Sequence, residues 1–132
     1  MRKNICIIPA RKGSSGIKDK NIKLVNGKKL ILHTFDIAKK IQKYFHIHIT
    51  TDSEIIFKLA KKYKFNIDEL RPKNLSGPNV QTIEVIRYEL KKYEKKKIFF
   101  DNVLLLQPTV PYRDFKKIIK ALKILKTKKK YN

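Results

Sequence analysis

The sequence predicts an α/β domain in which a mostly parallel sheet lies between two layers of helices, a three-layer sandwich. Two observations carry that prediction. Short apolar runs rich in Ile and Val stop at Pro, Gly, Thr or Asp, and most are followed by a stretch with helical apolar spacing. Strands that alternate with helices need crossover connections, which cover both faces of a parallel sheet. The length of 132 residues suits one such unit.

The elements follow in order. Residues 4–9 are short, apolar and Ile-rich and read as a buried strand, with Cys6 as a core residue. Gly13 and Gly16 mark a loop. Over 29–43, Leu30, Ile31, Thr34, Phe35, Ala38 and Ile41 recur at helical spacing. Residues 45–50 alternate and are β-branched, and Asp52 or Ser53 suits the cap of the next helix. That helix, 54–63, is expected to bury Ile55, Ile56, Leu59 and Ala60 and to expose its lysines. A short strand is expected over 65–67, then a loop with Arg71, Pro72, Gly77 and Pro78. Ile83, Ile86 and Leu90 stripe a helix over 82–92. Residues 102–106 form a continuous apolar strand of the kind covered on both faces, and 115–125 an amphipathic helix. The domain is expected to span 1–125, with 126–132 a basic tail.

Composition narrows the function classes. Apolar residues make up 42% and charged residues 33%, which suits a folded chain outside the membrane. No apolar run approaches the roughly 20 residues of a membrane span, and no signal-peptide core follows Met1, so the expected location is the cytoplasm. A single cysteine excludes an internal disulfide and a cysteine-based metal cluster. The net charge of +22 suggests a polyanion binder, but the cations are mostly Lys on helix faces, where they also serve as solvated surface. No helix-turn-helix or zinc-finger pattern and no aromatic-basic strand supports a specific nucleic-acid partner. A basic nucleic-acid module and a non-catalytic partner subunit remain the alternatives to an enzyme. Against the Lys background, the five arginines (2, 11, 71, 87 and 113) carry more information, because the guanidinium fork grips an anion at two points.

In a parallel α/β sheet the ligand crevice lies beyond the carboxyl ends of the strands. The candidate site is therefore lined by residues 9–21, 51–52, 71–82 and 107–113, which hold three of the five arginines. In the first loop Gly13 and Gly16 let backbone N–H groups approach an anion, and Arg11 and Lys20 add charge. The loop has neither P-loop nor dinucleotide-fold glycine spacing.

The full stretch IIPARKGSSGIKDKN, residues 7–21, resembles the amino-terminal signature of the acylneuraminate cytidylyltransferases, the enzymes that make CMP-sialic acid and its legionaminic and pseudaminic relatives. TTDS at 50–53, LRPKNL at 70–75 and LLQPTVP at 105–111 resemble the same family in the same order. The resemblance implies a Rossmann-like sandwich of the nucleotide-diphospho-sugar transferase type. It implies transfer of CMP from CTP to a nine-carbon acidic sugar with release of pyrophosphate, magnesium as cofactor, and a homodimer or association through an exposed sheet edge. Carried over by position, Arg11, Gly13, Ser14, Gly16, Lys20, Asn21, Arg71, Thr82 and Gln107 would bind the nucleotide; the catalytic residues are left unassigned. Asn21, where the related enzymes for an eight-carbon sugar usually carry Pro, favours the nine-carbon group.

Three departures from the pattern stand out. Ser15 occupies a position that is usually Lys, and Gly77, Pro78, Asn79 and Val80 replace an acidic residue and small hydroxyls. The family also continues past residue 132 into a segment with sugar-binding residues and metal-binding aspartates. The expectation is a truncated, split or degenerate member whose only carboxylates in the ligand-facing loops are Asp19, Asp52 and Asp114, with weak or undetectable turnover alone.

Overall fold

The computed structural model describes residues 4–12, 24–25 and 27–108. Strand β1 (Asn4–Ala10) is followed by a small antiparallel hairpin of β2 (Leu24–Val25) and β3 (Lys28–Lys29), which leads into helix α1 (Leu30–Ile41). Then come β4 (His46–Thr51), α2 (Glu54–Lys62), a 3-10 turn (Lys73–Leu75), α3 (Thr82–Lys95) and β5 (Asn102–Leu105). The main sheet has the order β4-β1-β5 with both pairings parallel, so the chain moves outward from β1 to β4 and then crosses back to β5. The hairpin is absent from the sequence reading, and it moves the start of the first helix from residue 29 to Leu30. The helix expected over 115–125 and the basic tail expected over 126–132 lie outside the described residues.

Alternation along β1 divides the core. Cys6, Ile8 and Ala10 face α1 and α2, where they join Ile31, Phe35, Ala38, Ile41, Ile47, Ile49, Ile56 and Ala60 in one apolar cluster. Phe35 is fully buried and meets the rings of Tyr63 and Phe65 edge-on, each at 5.3 Å between centroids. Cys6 is buried, as expected of a core residue. Ile5 and Ile7 point to the other face, over which α3 lies. The helices therefore flank both faces of the sheet. No helix among the described residues is long and apolar enough to cross a membrane.

Ser53 caps α2, its hydroxyl accepting the Ile56 N–H at 3.3 Å. Both α2 and α3 end in the same way. Lys64 (φ 64°) and Lys97 (φ 63°) take left-handed conformations just past the helix, and the next residue bonds back to the last turn: Phe65 N–H to the Ala60 carbonyl at 3.0 Å, Ile98 N–H to that of Tyr93 at 2.9 Å.

Four details of the sequence reading are corrected. Residues 65–67 are not a strand: the Phe65 N–H is committed to the α2 terminus, and the alternation serves only to bury Phe65 and Ile67 while Asn66 faces out. Ile55 is exposed, because α2 turns Ile56 and Ala60 to the sheet instead. Ile83 is likewise exposed, since the buried side of α3 carries Val85 and Glu89. Strand β5 ends at Leu105, pairs only with β1 among the described residues, and leaves Val103 43% exposed, so it is not the fully buried strand expected from its apolar run.

Candidate functional site

The strand order locates the crevice. The chain moves from β1 out to β4 on one side and then crosses back to β5 on the other side of β1, so the carboxyl ends of β1 and β5 border a topological switch point, where open α/β sheets bind ligands. Arg11 and Lys12 follow β1 there, and Gln107 follows Leu106, whose N–H extends the ladder to the Ile7 carbonyl at 3.0 Å. The direction of α3 brings its first turn to the same end. Tyr93 reaches His46 at the start of β4, and Glu89, one turn earlier, reaches Thr50 near its end, so Thr82 lies beyond the carboxyl ends of the strands. Arg11, Arg71, Thr82 and Gln107 thus gather at one end of the sheet. Gly13, Ser14, Gly16, Lys20 and Asn21 lie outside the described residues, as do Asp19 and Asp114.

Three consecutive residues at the end of β4 hold two loops of this site. The Thr51 carbonyl accepts the Arg71 N–H at 2.7 Å, and the Thr50 carbonyl accepts from Arg71 Nη2 at 3.1 Å. Asp52 Oδ1 accepts the Lys12 N–H at 2.7 Å, across 40 positions of sequence. Arg71 itself is 5% exposed. Its Nη1 donates to the Leu75 carbonyl at 3.1 Å, while Nε is buried without a hydrogen-bond partner among the described residues. Burial lowers the Arg71 pKa, Asp52 and Glu89 oppose that shift, and the neighbouring charge of Arg11 adds to it. The fork that set Arg apart from Lys is real, but it grips carbonyl oxygens and pins the 71–76 segment to β4.

No group of three or more His, Cys, Asp or Glu residues among those described is arranged to hold a metal ion. Asp52, just past the end of β4, has one carboxylate oxygen already on the Lys12 N–H. The described residues do not form a magnesium site by themselves.

A second polar cluster, missed in the sequence, lies under α3. His46, His48 and Thr50 share the β4 face opposite Ile47 and Ile49. Glu89, 2% exposed, accepts from the Thr50 hydroxyl at 2.9 Å, lies 2.6 Å from His48 Nε2, and pairs with Lys92 at 3.1 Å. A carboxylate can only accept, so His48 Nε2 carries a proton. The Tyr93 hydroxyl stands 2.6 Å from His48 Nδ1 and 3.0 Å from His46 Nε2. Burial pushes the Glu89 carboxyl up, but the hydrogen bonds and charges of His48 and Lys92 outweigh it and hold the group below its usual value. Burial, with His48 beside it, lowers the His46 pKa. A cavity of about 650 Å³ opens beside this cluster, lined by His46, Asn66, Glu69, Tyr93 and others. The signal lay in the pattern: His-x-His-x-Thr places three polar groups on one strand face, and Glu89 with Tyr93, four apart, on one helix face.

Comparison with known proteins agrees with this architecture. Residues 5–130 match a family model described as Cytidylyltransferase. The chain is 36% identical over 129 residues to an N-acylneuraminate cytidylyltransferase of Escherichia coli O18:K1:H7, which covers 98% of this chain and 30% of that protein. It is 37% identical over 122 residues to a CMP-N,N'-diacetyllegionaminic acid synthase of Legionella pneumophila, covering 92% and 53% respectively. A pseudaminic acid cytidylyltransferase of Campylobacter jejuni is 33% identical over 109 residues, covering 83% and 47%. The chain therefore spans about a third to a half of the length of these relatives. Among solved structures, a CMP:2-keto-3-deoxy-manno-octonic acid synthetase complexed with CTP shares the fold, with a TM-score of 0.70 at 19% identity over 95% of this chain and 48% of that one.

Proposed function

The chain belongs to the cytidylyltransferase family, and from that premise we propose that it carries the CTP-binding part of an enzyme that transfers CMP to a nine-carbon acidic sugar. One observation supports the reading above the rest: the ends of β1 and β5, which carry the matched Ile-Pro-Ala-Arg and Gln-Pro segments, lie side by side at the switch point of the sheet.

The reaction that fits is attack of a sugar hydroxyl oxygen on the α-phosphorus of CTP. A new P–O bond forms, the bond from the α-phosphorus to the bridging oxygen breaks, the hydroxyl proton leaves to a base, and pyrophosphate departs. Such a displacement depends on positioning and on charge around the leaving group more than on covalent chemistry. Arg11, half-buried beside the crevice, is assigned to the phosphates, and Gln107 to the nucleotide where the sugar enters. Arg71 serves by holding the 71–76 segment, which brings Thr82 toward the nucleotide. Gly13, Ser14, Gly16, Lys20 and Asn21 complete the assignment from sequence alone. Magnesium belongs to this proposal as the companion of the triphosphate, bound mainly through phosphate oxygens and water. The same reading places the reaction in the cytoplasm, its product in cell-surface polysaccharide synthesis, and the protein in a homodimer.

Calorimetric titration with CTP, ATP and inorganic triphosphate, with magnesium at near-physiological salt, tests it. The salt matters because a chain of charge +22 attracts any polyanion when screening is weak. The expected result is tighter binding of CTP than of the other two; equal binding of all three refutes the reading.

A further inference from the structure

Asp52 is not needed where the sequence suggested. Ser53 caps α2, and the Ser53 N–H is satisfied by Thr51 Oγ1 at 3.0 Å, so the local turn leaves the Asp52 carboxylate free of helix-capping duty. Its oxygen is instead on the backbone N–H of Lys12, at a distance typical of a short charge-assisted bond. Lys12 follows Arg11, the cation at the end of β1. The two preceding residues, Thr50 and Thr51, supply the carbonyls that hold Arg71. The end of β4 is thus a common anchor for both segments that flank the crevice.

We propose that Asp52 is a positioning residue for the phosphate-binding end of the site: its carboxylate fixes the backbone at Lys12 and so aims Arg11, acting as a hydrogen-bond acceptor and not as a metal ligand or ribose contact. The identity of the ligand rests on the cytidylyltransferase reading; the anchoring does not. A bond across 40 positions of sequence ties two strand ends that the sheet alone holds only up to Ala10 and Thr51. Losing it frees the turn at the point where the guanidinium must be held.

The test uses the full 132-residue chain with D52A and D52N. Asn retains an Oδ1 that accepts from Lys12 N–H; Ala retains nothing. Amide hydrogen exchange at Lys12 is measured without ligand, and binding is titrated with magnesium–CTP and with inorganic triphosphate. For D52A the expected result is roughly tenfold faster exchange at Lys12 and roughly tenfold weaker binding of both probes. D52N should stay within about threefold of the parent in all three. Unchanged Lys12 exchange in D52A overturns the anchor. Binding in D52N as weak as in D52A, with Lys12 still protected, overturns it too, because the charge and not the acceptor would then matter. Should D52A fail to fold, D52S, whose shorter hydroxyl does not reach Lys12, takes its place. A parent chain that binds CTP no better than triphosphate sinks the cytidylyltransferase reading alone, since exchange and triphosphate binding still decide the role of Asp52.

Discussion

Replacing Glu89 with Ala is expected to cost about 3–5 kcal/mol of folding stability, the range for breaking a buried charge pair by removing one member. The reasoning starts from the burial of the group, whose side chain is 3% exposed, beside His48 at 13%. Truncation removes three partners at once: the acceptor for the Thr50 hydroxyl at 2.9 Å, the acceptor for His48 Nε2 at 2.6 Å, and the anion facing Lys92 at 3.1 Å. His48 is then left with a buried donor that water reaches poorly, and a cavity opens under α3. A domain of this size has a total stability of about 5–15 kcal/mol, so the loss is a large share of it. Glu89→Gln keeps the volume and one acceptor and should cost roughly half as much, about 1.5–2.5 kcal/mol. Urea denaturation followed by circular dichroism at pH 7 reads all three proteins, and an unchanged m-value confirms that the native fold is being compared. The double variant H48L/E89L should recover part of the loss, because replacing both members with apolar groups removes the orphaned His48 donor along with the charge, while the buried Thr50 hydroxyl still lacks its acceptor. A cost below about 1 kcal/mol for Glu89→Ala would refute the claim that this cluster ties α3 to the sheet.

The same cluster sets a pH dependence. The pKa of His46 and that of Glu89 are both lowered in the folded state, so each contributes stability above its unfolded value, near 6.5 and 4.3, that is lost as pH falls through the folded one. The melting temperature should therefore drop on acidification from pH 7.5, first through His46 and then through Glu89, and His46→Asn should flatten only the upper part of the curve. Lys97→Gly should raise stability by about 0.5–1 kcal/mol, because Lys97 holds a φ of 63° at a helix end where Gly meets no Cβ penalty; thermal unfolding that shows a loss would count against that cost. Arg71→Lys should cost about 1–3 kcal/mol, since one ammonium cannot span both the Thr50 and Leu75 carbonyls. A neutral Arg71→Lys in chemical denaturation would show that the fork is dispensable. Phe35→Ala, which empties the contact with Tyr63 and Phe65, should cost about 3–5 kcal/mol in the same assay.

Much of this protein was legible in one dimension because the signals are local. The apolar run of β1, the α1 stripe from Leu30 to Ile41, and the alternation of β4 follow from period-two and helical spacing, which solvent imposes on any half-buried element. That alternation of strands and helices determined the parallel sheet, and with it the end at which a ligand crevice lies. Other features depend on which groups meet across long stretches of chain, and local pattern does not encode that. Phe65 and Ile67 alternate like a strand, yet the Phe65 N–H is bonded to the end of α2, so the segment buries its side chains without joining the sheet. Ile83 fits an apolar stripe, but the carboxylate at position 89 finds His48 and Thr50 on β4, 41 and 39 residues away, and those bonds turn α3 so that Glu89 is buried and Ile83 exposed. Arg71 was singled out as a fork for an anion, while the tertiary structure puts its two Nη groups on the Leu75 and Thr50 carbonyl oxygens. Of the two cap candidates Ser53 caps α2, and Asp52 anchors Lys12, because only the folded sheet brings the ends of β1 and β4 together. Burial of apolar surface is a property each residue carries with it. A polar group's partner is settled by desolvation, which makes an unpaired buried donor or acceptor costly and is felt only once the chain has closed around it.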